Sequence, residues 1–115
     1  MKQSYALLLA VLLTGLARPA LGQDAKAVDR GKAVFSEQKC SLCHAVAGKG
    51  NPKGPLDDVG SKLTAEQIKQ WITDPVGTAA KTTPAPKRKP AMKKKDLPEA
   101  DVDALVVLLA GLKAK

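Results

Sequence analysis

Cys40-Ser41-Leu42-Cys43-His44 is the stretch of the chain where nucleophilic and metal-ligating side chains crowd together, and it holds both cysteines and the single histidine. Two thiols separated by two residues can share one helical turn, from which both reach the two vinyl groups of a single porphyrin and form thioethers. The next residue is carried beneath the metal, where the His44 imidazole can take the proximal position on haem iron. Three other chemistries compete for the same residues. Structural zinc wants four N or S ligands, and these three side chains exhaust the cysteines and histidines of the chain. A thioredoxin-like pair wants a strand-to-helix setting that the pattern does not provide. A disulfide between Cys40 and Cys43 would close a very small loop and leave His44 without a role. The expected cofactor is one covalently attached haem c.

The sixth iron ligand is sought among the remaining soft donors. Met1-Lys2-Gln3 leads into the apolar run Ala6 to Leu13, then Arg18-Pro19 and the small residues Ala20 and Gly22, which is the layout of a secretory signal cleaved before Gln23. The run is too short to span a bilayer comfortably. With residues 1–22 set aside, Met92 is the sole methionine and no second histidine exists. Met92 is the candidate distal ligand; a lysine ligand, an open site and an ordinary core-filling methionine are the alternatives. Thioether ligation favours ferrous iron, so a positive midpoint potential is expected.

Helices must position these groups. From Asp24 to Lys39, Val28, Gly31, Lys32 and Phe35 fall near one face, with Asp24 and Asp29 toward the positive end of the dipole, and this helix is expected to run into the cysteine motif. Residues 48–60 hold four glycines and two prolines and read as a loop. Thr64-Ala65-Glu66-Gln67 opens a helix as a capping box, with Ile68, Trp71 and Ile72 as its buried stripe and Asp74-Pro75 as its end. Residues 76–95, with prolines at 84, 86 and 90, are expected to be extended and wrapping. A last helix starts near Leu97-Pro98 and turns Val102, Leu105, Val106, Leu109 and Leu112 inward. No strand pattern or internal repeat is visible, so the expected fold is all-α: one domain over residues 23–115 behind a signal at 1–22. Phe35 and Trp71 are the only large aromatic side chains after residue 22, a thin core that a buried haem would fill.

In order of features the chain resembles class I cytochrome c over nearly all of residues 23–115. The resemblance rests on the N-terminal helix with Gly31 and Phe35, the Cys40–His44 motif, Gly54-Pro55-Leu56, the helix carrying Trp71, then Met92 and a closing helix. It implies that these helices wrap one haem, that the Pro55 carbonyl accepts the hydrogen bond from His44 Nδ1, and that Trp71 packs near the haem edge. It also implies that Gly31 lets the first and last helices cross closely. Two departures stand out: the last helix offers Leu105-Val106-Val107-Leu108-Leu109 in place of an aromatic residue, and Met92 is followed by three lysines where the family commonly has proline.

Charge bears on the partner. The chain carries 19 basic and 11 acidic side chains, and Lys2 and Arg18 leave with the signal. Between Lys81 and Lys95 stand Lys81, Lys87, Arg88, Lys89, Lys93, Lys94 and Lys95 with no acid among them. If Met92 binds iron, these charges surround the haem face, where an unlike-charge patch speeds brief, oriented encounters. The expected partner is a redox protein with an acidic docking site. Nucleic acid is excluded by export and the lack of a recognition module. The expectation is a periplasmic, monomeric one-electron carrier without stable membrane insertion and not itself an enzyme, since a haem enzyme would need a distal base that no second histidine can supply. A fixed haem subunit of a larger oxidoreductase is the remaining alternative.

Overall fold

The computed structural model describes residues 20–115, with side chains placed from Ala25 onward. Apart from its last three positions, the expected signal segment lies outside the described residues. The described chain runs α1 (Ala20–Glu37), a 3-10 turn (Cys40–Leu42), β1 (Ala45–Val46), β2 (Lys49–Gly50), α2 (Val59–Lys62), α3 (Ala65–Thr73), α4 (Pro75–Lys81) and α5 (Glu99–Ala110). No helix among the described residues is long and apolar enough to cross a membrane.

The frame is the crossing of α1 and α5. Gly31 sits on the contact, buried, and a Cβ added there would come within 2.5 Å of the Ala104 carbonyl oxygen and 2.8 Å of Leu108 Cβ. Only a residue without a side chain lets the two backbones approach this closely. One position earlier, Arg30 spans the same crossing with a two-pronged contact, donating from Nε to Asp101 Oδ1 and from Nη2 to Asp101 Oδ2, both at 2.9 Å. The expected close crossing is therefore present, built from glycine and aliphatic side chains with no aromatic residue from α5.

Val34 and Phe35 of α1, Ile68 and Ile72 of α3, and Val102, Leu105, Leu108 and Leu109 of α5 form the buried cluster. On α1 the inner face is Gly31, Val34 and Phe35, and Lys32, expected near that face, is exposed. On α5 the buried set gains Ala104 and Leu108, while Val106 and Leu112 are only partly buried. The run Ala104 to Ala110 is apolar on every side, so periodicity had no polar face to work against.

The capping box at Thr64 is present in full: Gln67 N donates to Thr64 Oγ1 at 3.2 Å, and Thr64 N donates to Gln67 Oε1 at 2.9 Å. Residues 76–81, expected to be extended, are helical. Asp74 and Pro75 end α3 and also start α4: the Asp74 carboxylate accepts from Gly77 N at 3.0 Å, and the proline ring presets the first helical position. The absence of strands also needs correcting. β1 and β2 pair antiparallel about a two-residue turn in which Ala47 (φ 52°) and Gly48 (φ 76°) both have positive φ, the geometry that twists a tight hairpin correctly. Two residues per strand are too few to show alternation in sequence. Residues 82–95 carry no regular structure, as expected, and the irregular stretch runs on to Pro98, which caps α5 just past the expected helix start.

Two predictions follow from the crossing. Gly31→Ala lowers stability by about 1–3 kcal/mol through overpacking, although the same change in an exposed helix would raise it by up to about 1 kcal/mol; the midpoint of urea unfolding measures the difference. The Arg30 guanidinium holds the Asp101 carboxyl below its usual range, so the folded state binds that proton less readily than the unfolded one. The stability this pair contributes is therefore present above the ordinary carboxylate range and is lost as pH falls through the lowered value. Thermal unfolding of wild type and Asp101→Asn should differ by a constant margin near neutrality, and the margin should vanish in acid.

Candidate haem-binding site

The cysteine motif does not continue α1. The helix ends at Glu37, Gln38 N and Lys39 N close its last turn on Val34 O and Ser36 O, and Lys39 swings into the left-handed region at φ 57°. That reversal starts the separate 3-10 turn at Cys40, closed by Cys43 N donating to Cys40 O at 3.1 Å and His44 N donating to the same oxygen at 3.0 Å. With three residues per turn, positions three apart lie one above the other. The two thiols therefore share one side of the turn, Cys40 half-buried and Cys43 exposed, and both are free.

His44 leaves the turn at the start of β1. Its Nδ1 lies 3.3 Å from the carbonyl oxygen of Gly54, which also accepts from Ala45 N at 2.9 Å. The expected acceptor was the carbonyl of Pro55, and the backbone explains the difference. Ala45 and Pro55 form a parallel bridge in which Gly54 O and Leu56 N both pair with Ala45, at 2.9 and 2.8 Å. In an extended chain successive carbonyls point opposite ways, so the bridge turns Gly54 O toward the histidine and Pro55 O away from it. Burial is the main influence on His44 and lowers its pKa, the Arg88 charge lowers it further, and the bond to Gly54 opposes both. The neutral imidazole with Nδ1–H donating to Gly54 O leaves the Nε2 lone pair for a metal.

Asn51, not anticipated from the motif, ties the turn to this loop. Its Nδ2 donates to Leu42 O at 3.0 Å, and its backbone N–H is shared between Ser41 O at 3.0 Å and His44 O at 3.1 Å. Its Oδ1 accepts from Lys53 N at 3.0 Å, an Asx turn. The signal available in sequence was the triplet Gly50-Asn51-Pro52, a turn composition that says nothing about what the carboxamide reaches.

Met92 lies in the extended strap of residues 82–98 and is 39% exposed, outside the buried cluster, so it does not serve as core filler. The strap approaches the motif at two points. The Arg88 side chain lies against Gly54 and beside His44, and Lys95 lies near the Cys40 thiol, where its charge partly offsets the upward push that burial gives the thiol's pKa. Trp71 is half-buried on the outer flank of α3 and lines a groove of about 460 Å³ with Leu63, Gln67, Thr78 and Lys81, a groove whose walls include no residue of the motif.

The donor set suits a covalently held porphyrin. Two free thiols on one side of a tight turn can each form a thioether, and the following imidazole is neutral, fixed in tautomer and free at Nε2.

Comparison with known proteins agrees with the site. The family model for cytochrome c matches residues 28–113, from within α1 to beyond α5. Cytochrome c oxidase subunit 2 of Alkalihalophilus pseudofirmus is 31% identical over 94 residues, covering 74% of this chain and 25% of that protein, so the chain spans about a quarter of the length of the relative it matches. No solved structure matches the chain. The match across motif, loop, strap and closing helix shows that the chain belongs to the cytochrome c family, as a class I c-type cytochrome with covalently bound haem and a place in electron transport.

Proposed function

We propose that the chain is an exported one-electron carrier whose haem iron is held between His44 and Met92 and which docks on acidic redox partners through its basic strap. The observation that carries this reading is the course of the strap, whose Arg88 guanidinium lies against Gly54, the residue that accepts from His44 Nδ1, four positions before Met92 in the chain. When bound, the haem supplies a one-electron ferric/ferrous couple. His44 presents Nε2, oriented by the bond from Nδ1 to Gly54 O, and that bond makes the imidazole a stronger donor. The Met92 thioether is soft and favours the ferrous state. Both axial positions are then taken by the protein, no second histidine serves as a distal base, and the chain carries electrons without being an enzyme. Residues 1–22 act as a signal that directs residues 23–115 to the periplasm as a soluble monomer.

Seven basic side chains between Lys81 and Lys95 orient the encounter, and such a patch speeds association without requiring a tight interface. Likeness to a quarter of an oxidase subunit favours a second reading, in which the chain is a fixed haem subunit of a larger complex. The readings part on the size of the native protein and on salt: a fixed subunit co-elutes with its complex and transfers electrons at a rate indifferent to ionic strength.

Met92→Ala is expected to abolish the weak near-infrared band of sulfur-to-ferric-iron ligation, lower the midpoint potential and let carbon monoxide bind the ferrous protein. An unchanged band in the variant would remove Met92 from the iron. Electron transfer from the wild type to an acidic partner should slow steeply as ionic strength passes about 0.1 M, where the screening length has shrunk to about 10 Å; stopped-flow kinetics across a salt series would show a flat response if the basic strap takes no part.

A further inference from the structure

Among the six basic residues of the strap, Arg88 differs from the lysines in what it touches. Gly54 is buried, and a Cβ built there would overlap the Arg88 guanidinium on one side and the Cys43 carbonyl on the other. The missing side chain of Gly54 thus makes the seat in which the guanidinium lies, on the same residue whose carbonyl holds His44 Nδ1. A planar, weakly hydrated guanidinium can rest flat on backbone in this way, whereas a lysine ammonium keeps its water shell.

We propose that Arg88 is a positioning residue with two linked roles: it latches the strap that carries Met92 onto the loop that orients His44, and it fixes a positive charge beside the iron site that raises the reduction potential. The latch follows from chain geometry. Met92 is four positions beyond Arg88, a span of at most about 14 Å, so seating Arg88 on Gly54 confines where the thioether can go. The electrostatic role follows from charge. Ferric iron carries one more positive charge than ferrous, so a nearby cation disfavours the oxidised state, and net charge near the cofactor is one of the levers that set a haem potential. The exposed lysines at 81, 87, 89, 93 and 94 are left for the partner, which divides the basic segment into an internal anchor and an external docking face. The latch rests on the reading of Met92 as iron ligand; the charge effect needs only haem at His44.

The test uses the haem-loaded full protein and three variants that each remove one positive charge at neighbouring positions: Arg88→Gln, Lys87→Gln and Lys89→Gln. All three side chains are exposed and lie outside the core. Arg88→Gln should shift the ferrous-to-ferric ratio at fixed potential by roughly threefold to tenfold toward ferric, the upper end being a fall of about 59 mV in a one-electron couple. It should also speed amide hydrogen exchange across residues 89–95. The two lysine variants should move the potential by less than half as much and leave exchange as in wild type. Arg88→Lys should keep most of the potential while exchange still rises. Equal potential shifts in all three glutamine variants would reduce Arg88 to one charge among seven and overturn the proposal, as would an Arg88→Gln protein with unchanged potential and exchange. Failure of the Met92 reading shows separately, as a missing near-infrared band in the wild type.

Discussion

Two backbone hydrogen bonds, Ala45 N to Gly54 O and Leu56 N to Ala45 O, hold the site together. They form a bridge only one residue long, yet it sets which carbonyl meets His44 Nδ1, and the bond made there leaves Nε2 for iron. Asn51 braces the same junction from the other side by gripping Ser41, Leu42 and His44. A ligand held by backbone geometry is less exposed to the drift of long side chains. That suits a centre whose potential depends on ligand orientation, because every change in the imidazole bond changes its basicity.

The helices supply a frame rather than a pocket. The buried cluster draws on three helices and one aromatic residue, Phe35, and beside it α1 and α5 meet backbone to backbone at Gly31. A core so thin in aromatic volume is what a small domain can tolerate when a covalent cofactor contributes apolar surface of its own. The Arg30 fork to Asp101 adds direction at the crossing. Because that pair is exposed, it acts chiefly by fixing the angle of α5 against α1, since surface ion pairs contribute little energy in water.

Burial holds the strap of residues 82–98 only at its far end, where Leu97 packs against the core. Nearly every side chain in it faces solvent, and its approaches to the motif are made by cations at Arg88 and Lys95. A segment with an apolar anchor at one end only opens at low cost, so the order of the distal side depends on charge, on the few residues that touch the loop, and on the bond from Met92 to iron.

Local chemistry along the chain was enough to identify the haem-attachment motif, the capping box at Thr64, the glycine at the helix crossing and the irregular basic strap, because each depends on residues close in sequence or on a property of one residue type. Whether Asp74-Pro75 stops or starts a helix was ambiguous in sequence, since one carboxylate and one proline ring serve both purposes. The inner face of α5 was equally open, because a helix apolar all round is oriented only by what packs against it. The separation of the motif from α1 turned on the left-handed conformation of a single lysine, a residue type with no preference for it. Above all, the acceptor for His44 was decided by tertiary structure: Gly54 and Pro55 are adjacent in sequence, and only the bridge to Ala45 determines which of two oppositely directed carbonyls meets the imidazole. The seat of Arg88 on Gly54 is of the same kind, a contact between residues 34 positions apart that no local pattern encodes.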